Sequence, residues 1–161
     1  LSPIDHDAHA GLIRDGAIRY VLMRPDVLMN VGRFLPEAGR DGYLAALERA
    51  FATHAEASFQ QYRAAGAVDL DALLERSRLA AGTLGWGRWT LLPAAAGARE
   101  VVVVDSPFTA ASGPADRPVC APIRGVLRAI ATTAGREGVE VREICCAAQG
   151  AADCRFALTW R

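Results

Sequence analysis

Cys120, Cys145, Cys146 and Cys154 are the only cysteines of the 161-residue chain, and all of them fall in its final stretch. In a reducing compartment such clustering favours a metal or redox role over a disulfide framework. Cys146 and Cys154 fall on opposite arms of an expected hairpin, with Gly150 between them at the turn. Cys120 opens an expected helix. Two donors from a hairpin and a third from a helix start converge from different elements, as a tetrahedral zinc site requires. The fourth donor is open on this reading. Adjacent strand residues point to opposite faces, so Cys145 and Cys146 converge only if the strand kinks. Glu143 offers a carboxylate oxygen instead. The competing readings are four reduced thiols packed as small hydrophobes, and a disulfide.

Little else in the sequence is equipped for catalysis. All eighteen basic residues are arginine, so Schiff-base and phosphate-loop lysines are excluded. No G-x-G-x-x-G follows a strand, no C-x-x-C pair occurs, and no serine stands in a nucleophile elbow. His6 and His9 lie in a polar N-terminal stretch and read as solvated. His54 lies within a helix and faces either solvent or a pocket. Trp86, Trp89, Phe108 and Trp160 fall on or beside expected strands, whereas Met23, Met29, Phe34, Phe51 and Phe59 fall on apolar helix faces. Ordinary core is the default for most of these. A sheet covered by helices can also enclose an apolar cavity.

The elements that must position these groups follow from periodicity. Residues 1–16 read as a polar arm, and residues 17–161 as one domain. Ala17–Met23 suits a strand. Pro25 begins a helix whose apolar positions are Val27, Leu28, Val31, Phe34 and Leu35. Leu44, Leu47, Ala50, Phe51, Ala55, Phe59 and Tyr62 mark a second helix over Tyr43–Ala65, closed by Gly66. Asp69 caps a third helix that stops at Gly85. The period then changes. Trp86–Leu92 and Glu100–Asp105 read as strands, Ser106–Pro118 as a loop and Cys120–Ala134 as a helix. Val139–Ala147 and Cys154–Trp160 form the closing hairpin. Helices first and an antiparallel sheet later predict an α+β fold.

Composition sets the outer bounds. Hydrophobic residues make up 52% and charged residues 22%, an ordinary globular balance. A chain of this mass should fold with a surface of roughly 7,700 Å². Eighteen basic against eighteen acidic residues leave no field to steer it to nucleic acid or anionic lipid. Uncharged runs are too short to cross a bilayer and no secretory h-region is visible, so the expected location is the cytoplasm.

The segment Pro118-Val119-Cys120, Gly125, Glu143-x-x-Cys146-x-x-x-Gly150-x-x-x-Cys154-Arg155-Phe156 resembles the 4-vinyl reductase (4VR) domain family. That family includes a protein of bacteriochlorophyll synthesis and the aromatic-sensing domains of phenol- and xylene-responsive activators. Asp105-Ser106-Pro107-Phe108 and Gly85-Trp86-Gly87 look closer to the bacteriochlorophyll branch. The resemblance covers residues 85–161 in motif and the rest only in architecture. It implies helices packed on an antiparallel sheet, as in the related vesicle-tethering TRAPP subunits. It also implies a structural Zn²⁺ held by Cys120, Glu143, Cys146 and Cys154, with Cys145 left out. Trp86, Trp89, Phe108, Phe51 and Phe59 become the candidate ligand contacts, for an apolar small molecule such as a tetrapyrrole or an aromatic compound. In the family's sensors a sheet tryptophan and a histidine contact the phenol hydroxyl. The strand aligned with that position is Val101–Val104, which carries no tryptophan and no nearby histidine, so phenol recognition is not carried over. Haem-binding sensors among the family's relatives raise His54 as an axial ligand; a single helical histidine is more often structural. The resemblance further implies a homodimer and, from the family name alone, a vinyl reductase.

Overall fold

Four consecutive valines form the middle of the main sheet, and their burial alternates: Val101 and Val103 face inward, Val102 and Val104 are half-buried. That period of two is the mark of a strand with one face on the core. In the computed structural model, which describes residues 4–93 and 95–161 apart from the side chains at 40 and 41, seven strands and five α-helices follow in order. Strands β1 (Asp5–Asp7), β2 (Leu12–Asp15) and β3 (Ile18–Tyr20) form a small antiparallel meander. Strands β4 (Arg88–Leu92), β5 (Ala98–Val104), β6 (Glu140–Cys145) and β7 (Cys154–Thr159) form the main sheet, in the order β4-β5-β7-β6 and antiparallel throughout.

Helix α5 (Ala121–Thr133) buries Ile123, Leu127 and Ile130 at helical spacing, and α3 (Leu70–Thr83) buries Leu70, Leu73, Leu74, Ser77 and Ala81. Phe156, Leu158, Val101 and Val103 supply the sheet side of this core. The Asp69 carboxylate accepts from the Ala72 N–H at 2.8 Å and caps α3. Helix α2 (Glu37–Ala64) lies across α5. Gly125 makes that crossing close: a Cβ there would meet the Glu48 carbonyl oxygen, with the Phe51 Cβ at 2.8 Å and the Ala52 nitrogen at 2.9 Å. The α+β architecture, with helices on an antiparallel sheet, is as the sequence predicts.

Several boundaries differ from the periodicity reading. The stretch read as a polar arm carries β1 and β2, whose tight turns pass through Gly11 and Gly16. The first helix is short, α1 (Pro25–Asn30), and gives way to a 3₁₀ turn over Val31–Phe34. Its expected apolar face is not core: Val27, Val31 and Phe34 are exposed, as are Val21, Leu22 and Met23 before it. Helix α2 begins at Glu37, six residues before the expected start at Tyr43, because Pro36 sets its start and Gly39 and Gly42 do not interrupt it. A one-and-a-half-turn helix, α4 (Pro107–Ser112), stands within the segment read as a loop.

The α2–α5 crossing gives a direct test. Replacing Gly125 with alanine should improve helix propensity by about 1 kcal/mol yet force the backbones apart at a cost of about 1–3 kcal/mol. The expected outcome is a lower urea midpoint with an unchanged slope, and a larger drop for Gly125→Val.

Candidate metal centre and adjoining cavity

Cys120 is the N-cap residue of α5, and its carbonyl accepts from the Ile123 and Arg124 N–H groups at 3.0 and 3.1 Å. Pro122 inside the first turn fixes the helix start, so the Cys120 side chain is held where the loop meets the sheet. Cys154 begins β7 opposite Val103. The turn before it is a 3₁₀ turn, Ala147–Gln149, closed by Gly150 in the left-handed region at φ 91°. Such a φ is open to glycine at little cost.

The decisive local feature is in β6. Glu143 pairs with Phe156 but Cys145 pairs with Arg155, so the register slips by one residue between them. In a regular strand Glu143 and Cys145 would share a face and Cys146 would point away. The bulge reverses this. Cys145 joins the outer face with Arg155, and Cys146 turns inward beside Glu143. One donor atom each from Cys120, Glu143, Cys146 and Cys154 then lies within 4.8 Å of every other, a cluster that could hold a metal ion. The Cys120 and Cys154 sulfurs are 3.7 Å apart.

Backbone amides aim at this cluster. The Ala147 N–H donates to the Cys154 sulfur at 3.4 Å, and the Val119 and Ala148 N–H groups donate to Cys146. Glu143 Oε2 accepts from the Cys120 N–H and from Arg124 Nη1, each at 3.0 Å. Its other oxygen, Oε1, is buried with no hydrogen-bond partner among the described residues. A buried carboxylate oxygen left bare is costly unless a cation or proton takes it.

The proton distribution shows the same strain. Hydrogen bonds from its neighbours, Cys146 foremost, push the Cys120 thiol far above its usual range. The hydrogen bond with Cys120 is also the main influence that lowers Cys146, to about 5, and Cys154 is lowered the same way. Burial, then Cys146, push the Glu143 carboxyl up to about 8, while the Cys120 N–H opposes them. The Arg124 guanidinium also favours the ionised form. In the metal-free site Cys120 thus carries the proton that holds two thiolates together. A cation would replace it.

Beside this centre, between α2, α3 and the start of β4, lies a cavity of about 350 Å³. Phe51, Phe59, Trp86 and Trp89 line it, as the aromatic positions suggested; Phe108 does not. Phe108 stands behind Trp86, edge-on at 5.1 Å, and Phe51 packs edge-on against the same indole at 5.4 Å. Ile18 and Tyr20 of β3 complete the wall, which also includes Tyr62 and Ser58. Exposed His54 also lines the cavity and marks its rim. The strand Val101–Val104 has no tryptophan, as read, but Trp89 comes from its neighbour β4 and His54 from the helix opposite. The readable signal was the stripe Phe51, Ala55, Phe59 and Tyr62, within which His54 and Ser58 fall. Trp160 lies elsewhere, stacked beneath Arg99 and Arg136.

With this geometry in hand, the resemblance read from the motif holds: residues 100–159 match the family model of the vinyl-4-reductase (4VR) domain. The phenol-responsive sensory domain of the transcription activator PoxR, solved with phenol, has a similar structure. Its TM-score is 0.84 at 20% identity, over 98% of this chain and 85% of that one. A vinyl-4-reductase family protein from Methanocaldococcus jannaschii has a TM-score of 0.53 at 11% identity, over 84% and 92% of the two chains. A trafficking protein particle complex subunit 3 from Naegleria fowleri, covalently bound to palmitic acid, has a TM-score of 0.52 at 12% identity, over 85% and 95%. No curated protein is significantly similar in sequence. No helix among the described residues is long and apolar enough to cross a membrane.

If the cluster takes up a divalent cation, one ion per chain should be lost in Cys146→Ser and kept in Cys145→Ser, measured by elemental mass spectrometry. Uptake near neutral pH must displace protons from Cys120 and from Glu143, whose carboxyl is raised to about 8. Affinity should therefore fall as pH falls, roughly tenfold per pH unit for each proton displaced. Chelator competition between pH 8 and 6 measures that slope.

Proposed function

We propose that this chain is a sensory or carrier domain that holds a small aromatic molecule of the phenol class in its cavity, with a structural zinc ion fixing the adjoining sheet and helix. The observation that carries the reading is the cavity itself. Its aromatic walls and its polar groups, His54, Ser58 and Tyr62, suit a flat ring bearing a hydroxyl. A volume of about 350 Å³ is near the low end for ligand pockets and suits one or two fused rings. A tetrapyrrole macrocycle exceeds it, so the bacteriochlorophyll branch is the weaker match. The likeness to a phenol-responsive domain supports the same choice at the level of fold. In this reading the ligand-binding unit is residues 17–161, since Ile18 and Tyr20 complete the wall.

Zinc is the cation that three cysteine sulfurs and one carboxylate oxygen suit best. Tetrahedral zinc with Zn–S bonds of about 2.3 Å needs sulfurs about 3.8 Å apart, and Cys120 and Cys154 are 3.7 Å apart. The bare Oε1 of Glu143 is the natural fourth donor. Four protein donors close the coordination sphere, so the ion would hold structure and leave the ligand to the cavity.

Titrating phenol, toluene and protoporphyrin against the intrinsic tryptophan fluorescence tests the ligand class. Phenol should bind and quench, and protoporphyrin should not compete with it. Ala55→Phe should fill the cavity and weaken phenol at least tenfold without lowering the thermal midpoint. His54→Ala should weaken phenol up to about tenfold and leave toluene unchanged, the signature of one lost hydrogen bond. Absence of binding by phenol and toluene alike would overturn the reading.

A second reading, association of two copies, has its own observation. The chain exposes 9077 Å², against the roughly 7,700 Å² expected of a compact monomer of its mass. The excess is larger than one partner's share of a standard interface, about 800 Å². Val21 at 78%, Leu22 at 80% and Phe34 at 88% exposure are its most exposed large apolar side chains. Light scattering after size exclusion should give a dimer mass for the native chain and a monomer for the Leu22→Glu, Phe34→Glu variant.

A further inference from the structure

We propose that Glu48, on the cavity helix α2, is a positioning residue for the metal centre and acts through Arg124. The inference rests on the metal reading above. Arg124 sits between two carboxylates: its Nε donates to Glu48 Oε2 at 2.7 Å and its Nη1 to Glu143 Oε2 at 3.0 Å. All three side chains are largely withdrawn from water, at 19% exposure for Glu48, 15% for Arg124 and 1% for Glu143. Arg128 Nη2 donates to the other oxygen of Glu48 at 3.0 Å and its Nη1 to the Val139 carbonyl at 2.9 Å, so Glu48 itself is held from two sides.

The consequence follows from guanidinium geometry. An arginine facing a lone carboxylate takes both oxygens with two parallel N–H groups. Such a fork on Glu143 would occupy Oε1, the only oxygen free to join the three sulfurs. Glu48 prevents it by engaging Nε, so that Arg124 offers Glu143 a single N–H, to Oε2. One oxygen of Glu143 is thereby tied and the other is left aimed at the cluster. Arg124 also places a positive charge beside a site whose four donors with a divalent ion carry a formal charge of about −2. Glu48 reaches none of the donor atoms; it fixes the residue that fixes one of them.

The test is a double-mutant cycle on the full chain, read by chelator competition for zinc and by the absorption bands of the cobalt-substituted protein. Glu48→Ala should weaken zinc about tenfold and shift the cobalt bands, as the loss of a supporting group around a metal does. Arg124→Ala should weaken it at least as much, and the double variant no more than Arg124→Ala alone. Arg128→Ala removes a comparable ion pair from the same carboxylate but does not touch Glu143. It should lower the thermal midpoint and leave zinc affinity and cobalt bands unchanged. If Glu48→Ala does not fold, Glu48→Gln carries the same expectation with a smaller shift. The proposal is overturned if Glu48 variants keep native zinc affinity and cobalt bands, if the Glu48 and Arg124 effects add, or if Arg128→Ala weakens zinc as much as Glu48→Ala. A native chain that takes up no zinc overturns the metal reading and this inference with it, whereas native uptake with an unaffected Glu48 variant overturns only the latter.

Discussion

Three thiols and a carboxyl, one atom from each within 4.8 Å of the others, cannot all ionise in a protein interior without a cation among them. That constraint ties together parts of the chain distant in sequence: the start of α5, the end of β6 and the start of β7. Without a cation, a proton on Cys120 serves between the Cys146 and Cys154 thiolates, and Glu143 keeps one oxygen bare. A proton satisfies one pair at a time. A tetrahedral cation satisfies all four donors together, and so stiffens the corner where helix and hairpin meet.

From that corner α5 runs beneath α2, and the closeness of the two helices depends on the missing side chain at Gly125. The approach brings Glu48 within reach of Arg124 and Arg128 on one side of the crossing. It also places Phe51, one turn further along α2, against Trp86 in the cavity wall. A single close contact between backbones therefore sets both the charge network near the metal centre and the width of the aromatic cavity.

The sequence was informative where one residue pattern has one physical solution. Alternation over Val101–Val104, the Leu70–Leu74 stripe behind the Asp69 cap, and the α5 stripe all appear where periodicity puts them. The strand-parity argument rightly separated Cys145 from Cys146, but parity alone would have kept Cys145 with Glu143. Only a bulge gives Glu143 and Cys146 a common face at a spacing of three, and no residue type announces it. The first helix misled for a different reason. Val27, Val31 and Phe34 have helical apolar spacing, yet the face they form is uncovered in a single chain. Periodicity reports which residues would share a face; it does not say what covers that face. His54 was ambiguous on the same ground, because its side of α2 meets a cavity that exists only once β3 and β4 are in place.

The arrangement also separates the chemistry of the two sites. Arg124 and Val126 are two residues apart on α5 and so point in opposed directions, about 200° around the helix axis. Arg124 faces Glu143, while Val126 lines the cavity. A ligand in the cavity meets the apolar side of α5, and a metal ion meets its polar start. With every donor position supplied by protein, the proposed ion has no vacancy for substrate, and the cavity has no thiol or acidic group with which to activate one. What such a ligand can do is bear on α2 through Phe51, Ala55 and Phe59, and α2 is the helix whose Glu48 reaches the metal-side arginine. A domain built this way is fitted to register occupancy of its cavity as a shift of one helix against a fixed corner, which is the physical requirement of a sensor rather than of an enzyme.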